Sequence, residues 1–263
     1  MGELLVNLTD EELVYLVAAF DGDILPGISD PYDEISDSEK ADRIIEVEQQ
    51  LQDRGYRKRV FGGQVNYDAD ISEMIKICAG FEKYIGFDKR MGDENLTTQR
   101  FYEKEGKWLQ ISGDSEEFHL QIKKADEVKD FLNDIPKDTG SKSNQISILI
   151  PKDEYEEVAE LIQDGNVEAA RESLKPFNLD EFNEMFLIDG LSYKLAYAAI
   201  TLVARDDENL SVDTVSALIS DEAMAELYVE AEEGEVTKVG FRKADTGSWP
   251  KFKGVINEWL IAS

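Results

Sequence analysis

Cysteine and histidine each occur once, and each scarcity closes a route to chemistry. With only Cys78 there is no internal disulfide framework, a usage that fits a reducing compartment. Cys78 falls on the apolar side of a predicted helix with Met74, Ile75 and Phe81, the setting of a small buried hydrophobe rather than a nucleophile. His119 alone removes any multi-histidine metal site and leaves one residue for a Ser-His or Cys-His pair. It sits between Phe118 and Leu120 in an alternating run and points opposite to them, which predicts a solvent-facing strand residue.

Long apolar runs are missing too. The longest, Leu195 to Ala204, is about half of what a membrane span requires, and no basic-then-apolar leader follows Met1. A soluble, cytoplasmic protein without membrane insertion is expected.

Positive charge is scarce: 28 Lys and Arg stand against 57 Asp and Glu, a net charge of −29. The deficit is even, 17 against 32 over residues 1–140 and 11 against 25 over 141–263, so there is no acidic tail. Such a field opposes DNA, RNA and anionic membranes and favours basic partners.

Signature loops are absent as well. The chain has no G-x-x-x-x-G-K-[ST], G-x-G-x-x-G or G-x-S-x-G motif. Phe61-Gly62-Gly63-Gln64 lacks a flanking strand and helix start, and reads as a bend. Asp21-Gly22-Asp23 and Asp68-Ala69-Asp70 are fragments of calcium loops without the glycine and distal glutamate of a complete one. With so many carboxylates, sequence proximity carries no information about an acid–base pair. The expectation is a protein that is not an enzyme and has no catalytic residue, cofactor or metal.

What is present is order. Thr9 and Glu12 form a capping box for a helix that turns Leu13, Leu16, Val17 and Phe20 to one side. Asp21 to Pro31 reads as an irregular connection with a possible short strand at Ile24-Leu25, followed by a helix from about Ser38 to Arg54 with Ala41, Ile44, Ile45 and Leu51 inward. Arg54, Arg57, Lys58 and Arg59 form the densest basic island, available to the protein's own carboxylates or to an acidic partner. Val60, Phe61 and Val65 suggest a strand or an extended arm. Asp68 caps the next helix, Tyr84, Ile85 and Phe87 suggest a strand, and Met91 to Leu96 an exposed loop.

Two later stretches look alike. Around Glu105-Gly106 and around Glu233-Gly234 the apolar alternation predicts β-hairpins, each leading to a helix with an i, i+3, i+4 stripe: Val128, Phe131, Leu132 and Ile256, Trp259, Leu260. Ile150 to Ile162 likewise overlays Leu8 to Phe20, and a further helix is expected over Val167 to Leu174. The polar link Ser141 to Asn144 divides residues 1–140 from 145–263, and the order helix, helix, middle segment, hairpin, closing helix repeats, as in an internal duplication. Leu191 to Ala204 fits a buried helix or a strand pair, and Ser211 to Leu218 a short capped helix.

Leu8-Thr9-x-x-Glu12-Leu13, the close of the second helix at Leu51-x-x-Arg54-Gly55-Tyr56, the paired hairpins, and Gly247-Ser248-Trp249 before the final helix together resemble the EspG-like cytoplasmic chaperones of the type VII (ESX) secretion system. The resemblance implies an α+β fold of two quasi-symmetric halves, a central antiparallel sheet flanked by helical bundles, in one compact EspG-like unit. It implies no enzymatic activity. It implies a helical-hairpin secretion substrate as partner, held by its tip, through a loop of the sheet and the C-terminal helical part. Here those correspond to Met91, Asp93, Glu94 and Leu96, to Tyr102, Glu105 and Trp108 around the first hairpin turn, and to Leu191, Tyr193 and Tyr197. The acidic, lysine-rich composition departs from actinobacterial members and points to a low-GC Gram-positive relative with WXG- or LXG-type clients, acting as a monomer or weak dimer. The alternative from another class is an acidic inhibitor or nucleic-acid mimic that occupies a basic groove, with regularly spaced carboxylates and little exposed apolar surface.

Overall fold

The computed structural model describes residues 5–60, 62–92, 94–114, 116–131, 135–137, 140–206, 209–232 and 234–262. In chain order the elements are β1 (Val6–Leu8), α1 (Asp10–Ala19), α2 (Asp37–Asp53), β2 (Arg57–Arg59), β3 (Val65–Tyr67), α3 (Ala69–Ala79), β4 (Lys83–Arg90), β5 (Thr97–Lys104), β6 (Lys107–Gly113), β7 (Phe118–Lys123) and α4 (Ala125–Phe131). They continue with β8 (Ser147–Pro151), α5 (Lys152–Gln163), α6 (Val167–Leu174), α7 (Glu181–Leu191), β9 (Ala196–Asp206), β10 (Asn209–Ile219), β11 (Met224–Glu232), β12 (Glu235–Lys243) and α8 (Trp249–Ala262). Ten strands make one antiparallel sheet in the order β1-β7-β6-β5-β4-β9-β10-β11-β12-β8, while β2 and β3 form a separate small hairpin. The fold is α+β, and β4 and β9 meet at the middle of the sheet, Lys83 opposite Ala204 through Arg90 opposite Tyr197.

Alternation along the strands explains where the helices lie. Neighbouring residues go to opposite faces, so Tyr102 joins one core and Phe101 another, and Leu218 separates from Ala217 in the same way. On one face α1 and α3 pack over Tyr84, Tyr102, Leu109 and Ile111, and α5, α6 and α7 pack over Ile148, Ile150, Ala225 and Phe241. On the other face α4 and α8 cover Phe101, Trp108, Ile200 and Val215.

The expected capping box is formed: Thr9 Oγ accepts from the Glu12 amide at 3.2 Å, and Glu12 carboxylate accepts from the Thr9 amide at 3.0 Å. Glu12 is buried and also takes the Arg54 guanidinium at 2.6 Å, which ties the two opening helices together. The basic island pairs internally, Arg57 at 2.8 Å and Arg59 at 3.4 Å to Glu48. Cys78 is buried, as its helix position predicts, and burial pushes its thiol up to about 12.

Several expectations are corrected. Ile24-Leu25 forms no strand. On α2 the buried stripe is Val47 and Leu51 with Ile44 half-buried; Ala41 and Ile45 are exposed because they lie on the next face of a narrow seam. Of Val60, Phe61 and Val65, Val65 does begin a strand, β3, which pairs with the basic run Arg57–Arg59; Val60 lies just past that run, and Phe61 lies outside the described residues. Ser211 to Leu218 is strand, paired with β9 along its whole length; Val212, Thr214 and Val215 are β-branched, and that outweighs the cap-like Ser211 and Asp213. Leu191 to Ala204 is neither one helix nor a strand pair: Leu191 ends α7, an unforeseen helix, residues 192–195 turn the chain, and Ala196 to Ala204 lie in the single strand β9. The two hairpins also differ in place. The one turning at Gly106 is followed by a third strand, β7, before α4, whereas the one turning at Gly234 runs on toward α8. Leu132 and Glu233 lie outside the described residues.

Candidate functional site

At one end of the sheet, where β4 ends and β9 begins, the second set of helices leaves an open cleft of about 440 Å³ between α5, α7 and the β4–β5 loop. Its floor is apolar, from Leu218, Leu227 and Phe241, and its walls are Tyr155, Leu191, Tyr193, Tyr197 and Leu96.

The local sequence builds this wall in steps. Asp180 caps α7 by accepting from the Asn183 amide at 2.8 Å. Asn183 in turn accepts from the Ser147 amide at 3.1 Å and donates to the Gln145 carbonyl at 3.0 Å, which fixes the helix against the start of β8. Near its end Gly190 passes over β10 so closely that a Cβ would lie 2.4 Å from Leu218 Cδ1. The chain then reverses through Tyr193 in the left-handed conformation, φ 58°, closed by Lys194 N donating to Asp189 O at 2.9 Å. A bulky residue held at positive φ is uncommon and costs roughly 1–3 kcal/mol. It leaves the Tyr193 ring half out in solvent at the cleft mouth.

One cation stands in this aromatic wall. The Arg90 guanidinium lies 4.3 Å from the Tyr193 ring centroid and 6.0 Å from that of Tyr197, within cation–π reach. Its Nε is buried with no hydrogen-bond partner among the described residues. Burial raises the pKa of both Tyr155 and Tyr197, so each hydroxyl stays a neutral donor and acceptor at physiological pH. Such a surface offers apolar and aromatic packing beside a cation and hydroxyl groups that can donate to a carbonyl or carboxylate. Among the described residues no three of His, Cys, Asp and Glu come together in a metal-holding cluster.

Of the residues singled out in the sequence, the structure gathers Leu96, Leu191, Tyr193 and Tyr197 around the cleft. Met91 and Glu94 are exposed in the adjoining loop, and Asp93 lies outside the described residues. Tyr102 and Trp108 are not interface anchors. Both are fully buried, on opposite faces of the sheet: Tyr102 stands opposite Leu109 and Trp108 opposite Glu103 on the neighbouring strands β5 and β6, and helices cover both faces there. Glu105 sits at the far end of β5, roughly 25 Å from the β4–β5 loop by strand rise, and does not join the cleft. Arg90, Tyr155 and Phe241 complete the site and were not foreseen. The usable signal was a surplus of tyrosine, 155, 193 and 197, beside helix ends rather than at inward heptad positions.

No protein-family model and no curated protein matches the chain. A solved structure does: the Mycobacterium tuberculosis type VII secretion system chaperone EspG5, in complex with the PE25–PPE41 dimer, is similar at a TM-score of 0.53 and 15% identity, covering 98% of this chain and 96% of that one. At that identity the likeness is one of fold, and it extends over the whole architecture.

Proposed function

We propose that this chain is a secretion-associated chaperone or adaptor, working in the cytoplasm, that binds a helical-hairpin type VII substrate of the WXG or LXG kind and keeps it soluble for export. The observation that carries the reading is the open aromatic cleft. Leu96 and Tyr193 stay exposed at its mouth, with Met91 exposed in the adjoining loop, while α5, α6 and α7 close the sheet beside it. An apolar helical tip that seats there would bury these groups and meet Arg90 and the tyrosine hydroxyls with its own terminal carbonyls. The similarity in fold to a chaperone solved with a PE25–PPE41 dimer supports the same assignment. A net charge of −29 supports solubility and disfavours self-association, in keeping with a monomer or weak dimer. The proposed action is binding without covalent chemistry. The acidic-mimic alternative is less favoured because it has no use for an exposed apolar cleft.

A duplication origin for residues 1–140 and 145–263 is proposed on the strand order. Five strands from β1 to β7 and five from β8 to β12 run outward from the β4–β9 contact, each set led by an edge strand and helix and closed by α4 or α8. That order makes the Gly234 hairpin the counterpart of β6–β7, not of the Gly106 hairpin.

Co-expression with each small helical protein encoded beside this chain tests the function. A complex that survives size exclusion is expected with at least one of them. A chain that elutes alone in every case contradicts the assignment.

A further inference from the structure

The sheet is split at the end opposite the cleft. β10 pairs with β9 over its full length, Asn209 opposite Asp206 through Ile219 opposite Ala196. With β11 it pairs only over Ser216–Ile219. Beyond Ser216 and Leu227 the β9–β10 and β11–β12 hairpins part, so residues 209–215 of β10 have no described strand on their second side.

Unpaired edges are templates for another strand, and proteins normally blunt them with short length, proline, lysine or a bulge. The sheet's outer edges follow that practice: β1 has three residues, and β8 has five and ends at Pro151. The edge of β11 is interrupted by a bulge between Glu230 and Ala231. The open run of β10 has none of these devices. It contains no proline or lysine, its register to β9 is unbroken, and Val212 is 62% exposed.

Its side chains state what would fit. Leu210, Val212 and Thr214 project to one face, and Leu210 and Val212 line an open apolar hollow there with Ile24 and Val203. Asp213 projects to the other face, as does Asp206 at the end of β9, and neither has an ion-pair partner among the described residues. Two copies of so acidic an edge would repel each other. We infer that β10 residues 209–215 accept an extended, basic segment of a partner polypeptide by strand addition, its apolar side chains beside Val212 and its lysines or arginines beside Asp213. This site lies a full strand length from the aromatic cleft and does not depend on it; the two together would let one chain hold a folded tip and an extended tail at once.

The test uses the full chain and a fluorescein-labelled peptide of four Val-Lys repeats, read by anisotropy and by hydrogen exchange. Binding is expected, with protection in 209–215, while a Val-Glu peptide does not bind. N-methylation of either the valine or the lysine amides alone should weaken binding at least about tenfold, the other series much less, since only every second amide faces the edge. The exposed substitution Asp213→Lys should weaken it by a similar factor with unchanged circular dichroism. Equal affinity of the two methylated peptides, protection confined to residues 190–197, the absence of binding, or a dimer of the free chain closed through this edge would each overturn the inference. The last three outcomes leave the client complex at the cleft untouched, so the two readings fail separately.

Discussion

Helices cover the same face of the sheet twice, over the strands β4 to β7 and over β10 to β12, and the two coverings end differently. In the first, the segment between α1 and α2 is drawn down onto the strands. Tyr102 Oη donates to Pro26 O at 2.7 Å and Arg100 Nε to Gly27 O at 2.7 Å. Gly27 adopts φ 76° with a Cβ position only 2.3 Å from Tyr84 Oη, so nothing larger would let the segment close. In the second, α7 ends early, Tyr193 turns the chain back, and Tyr155, Tyr193 and Tyr197 stay at an opening. The first covering uses its tyrosines for closure, and the second leaves them at an open cleft.

The largest effect should come from breaking the sealed side. Tyr102→Ala removes a fully buried ring in contact with Phe81 and Tyr84, and a loss of about 3–5 kcal/mol is expected in urea unfolding. Glu12→Ala should cost about 2–3 kcal/mol, because it removes half of the capping box and leaves Arg54 without its carboxylate. Cys78 supplies a pH signature on the same side. Its folded pKa is raised from 9.0 to about 12, so the protonated thiol is favoured in the fold, and the contribution is complete below pH 9 and lost as pH climbs toward 12. Between pH 8 and 10 the wild type should therefore lose roughly 1 kcal/mol more than Cys78→Ala. The smallest stability effect belongs to the open side. Tyr193→Ser is expected to stay within about 0.5 kcal/mol of wild type, yet to weaken client binding about tenfold or more if the ring is an anchor. A Tyr193 variant that unfolds like Tyr102→Ala would erase the contrast.

Much of the sealed side was legible in the sequence. The capping box at Thr9 and Glu12, the cap at Asp68 and the stripe Ile71, Met74, Ile75, Cys78 are local signals, and local signals survive folding. The open side was less so. The sequence of α7, Glu181–Leu191, is apolar on several faces because it is wedged between sheet and neighbouring helices, and it carries no amphipathic period. Tyr102 and Trp108 looked available because aromatics in a hairpin suit either a core or an interface, and only the helices on both faces decide between them. Leu96, Leu191, Tyr193 and Tyr197 come together through strand register between β4 and β9, a long-range pairing that no local spacing encodes. Arg90 reaches them through the same register, opposite Tyr197.

Hydrogen exchange of the client-bound chain against the free chain tests the central claim most directly. Protection is expected to concentrate in residues 90–97, 155–163 and 188–197, around the cleft. Protection confined to α1, α2 and α3, with those segments exchanging as in the free chain, would contradict it.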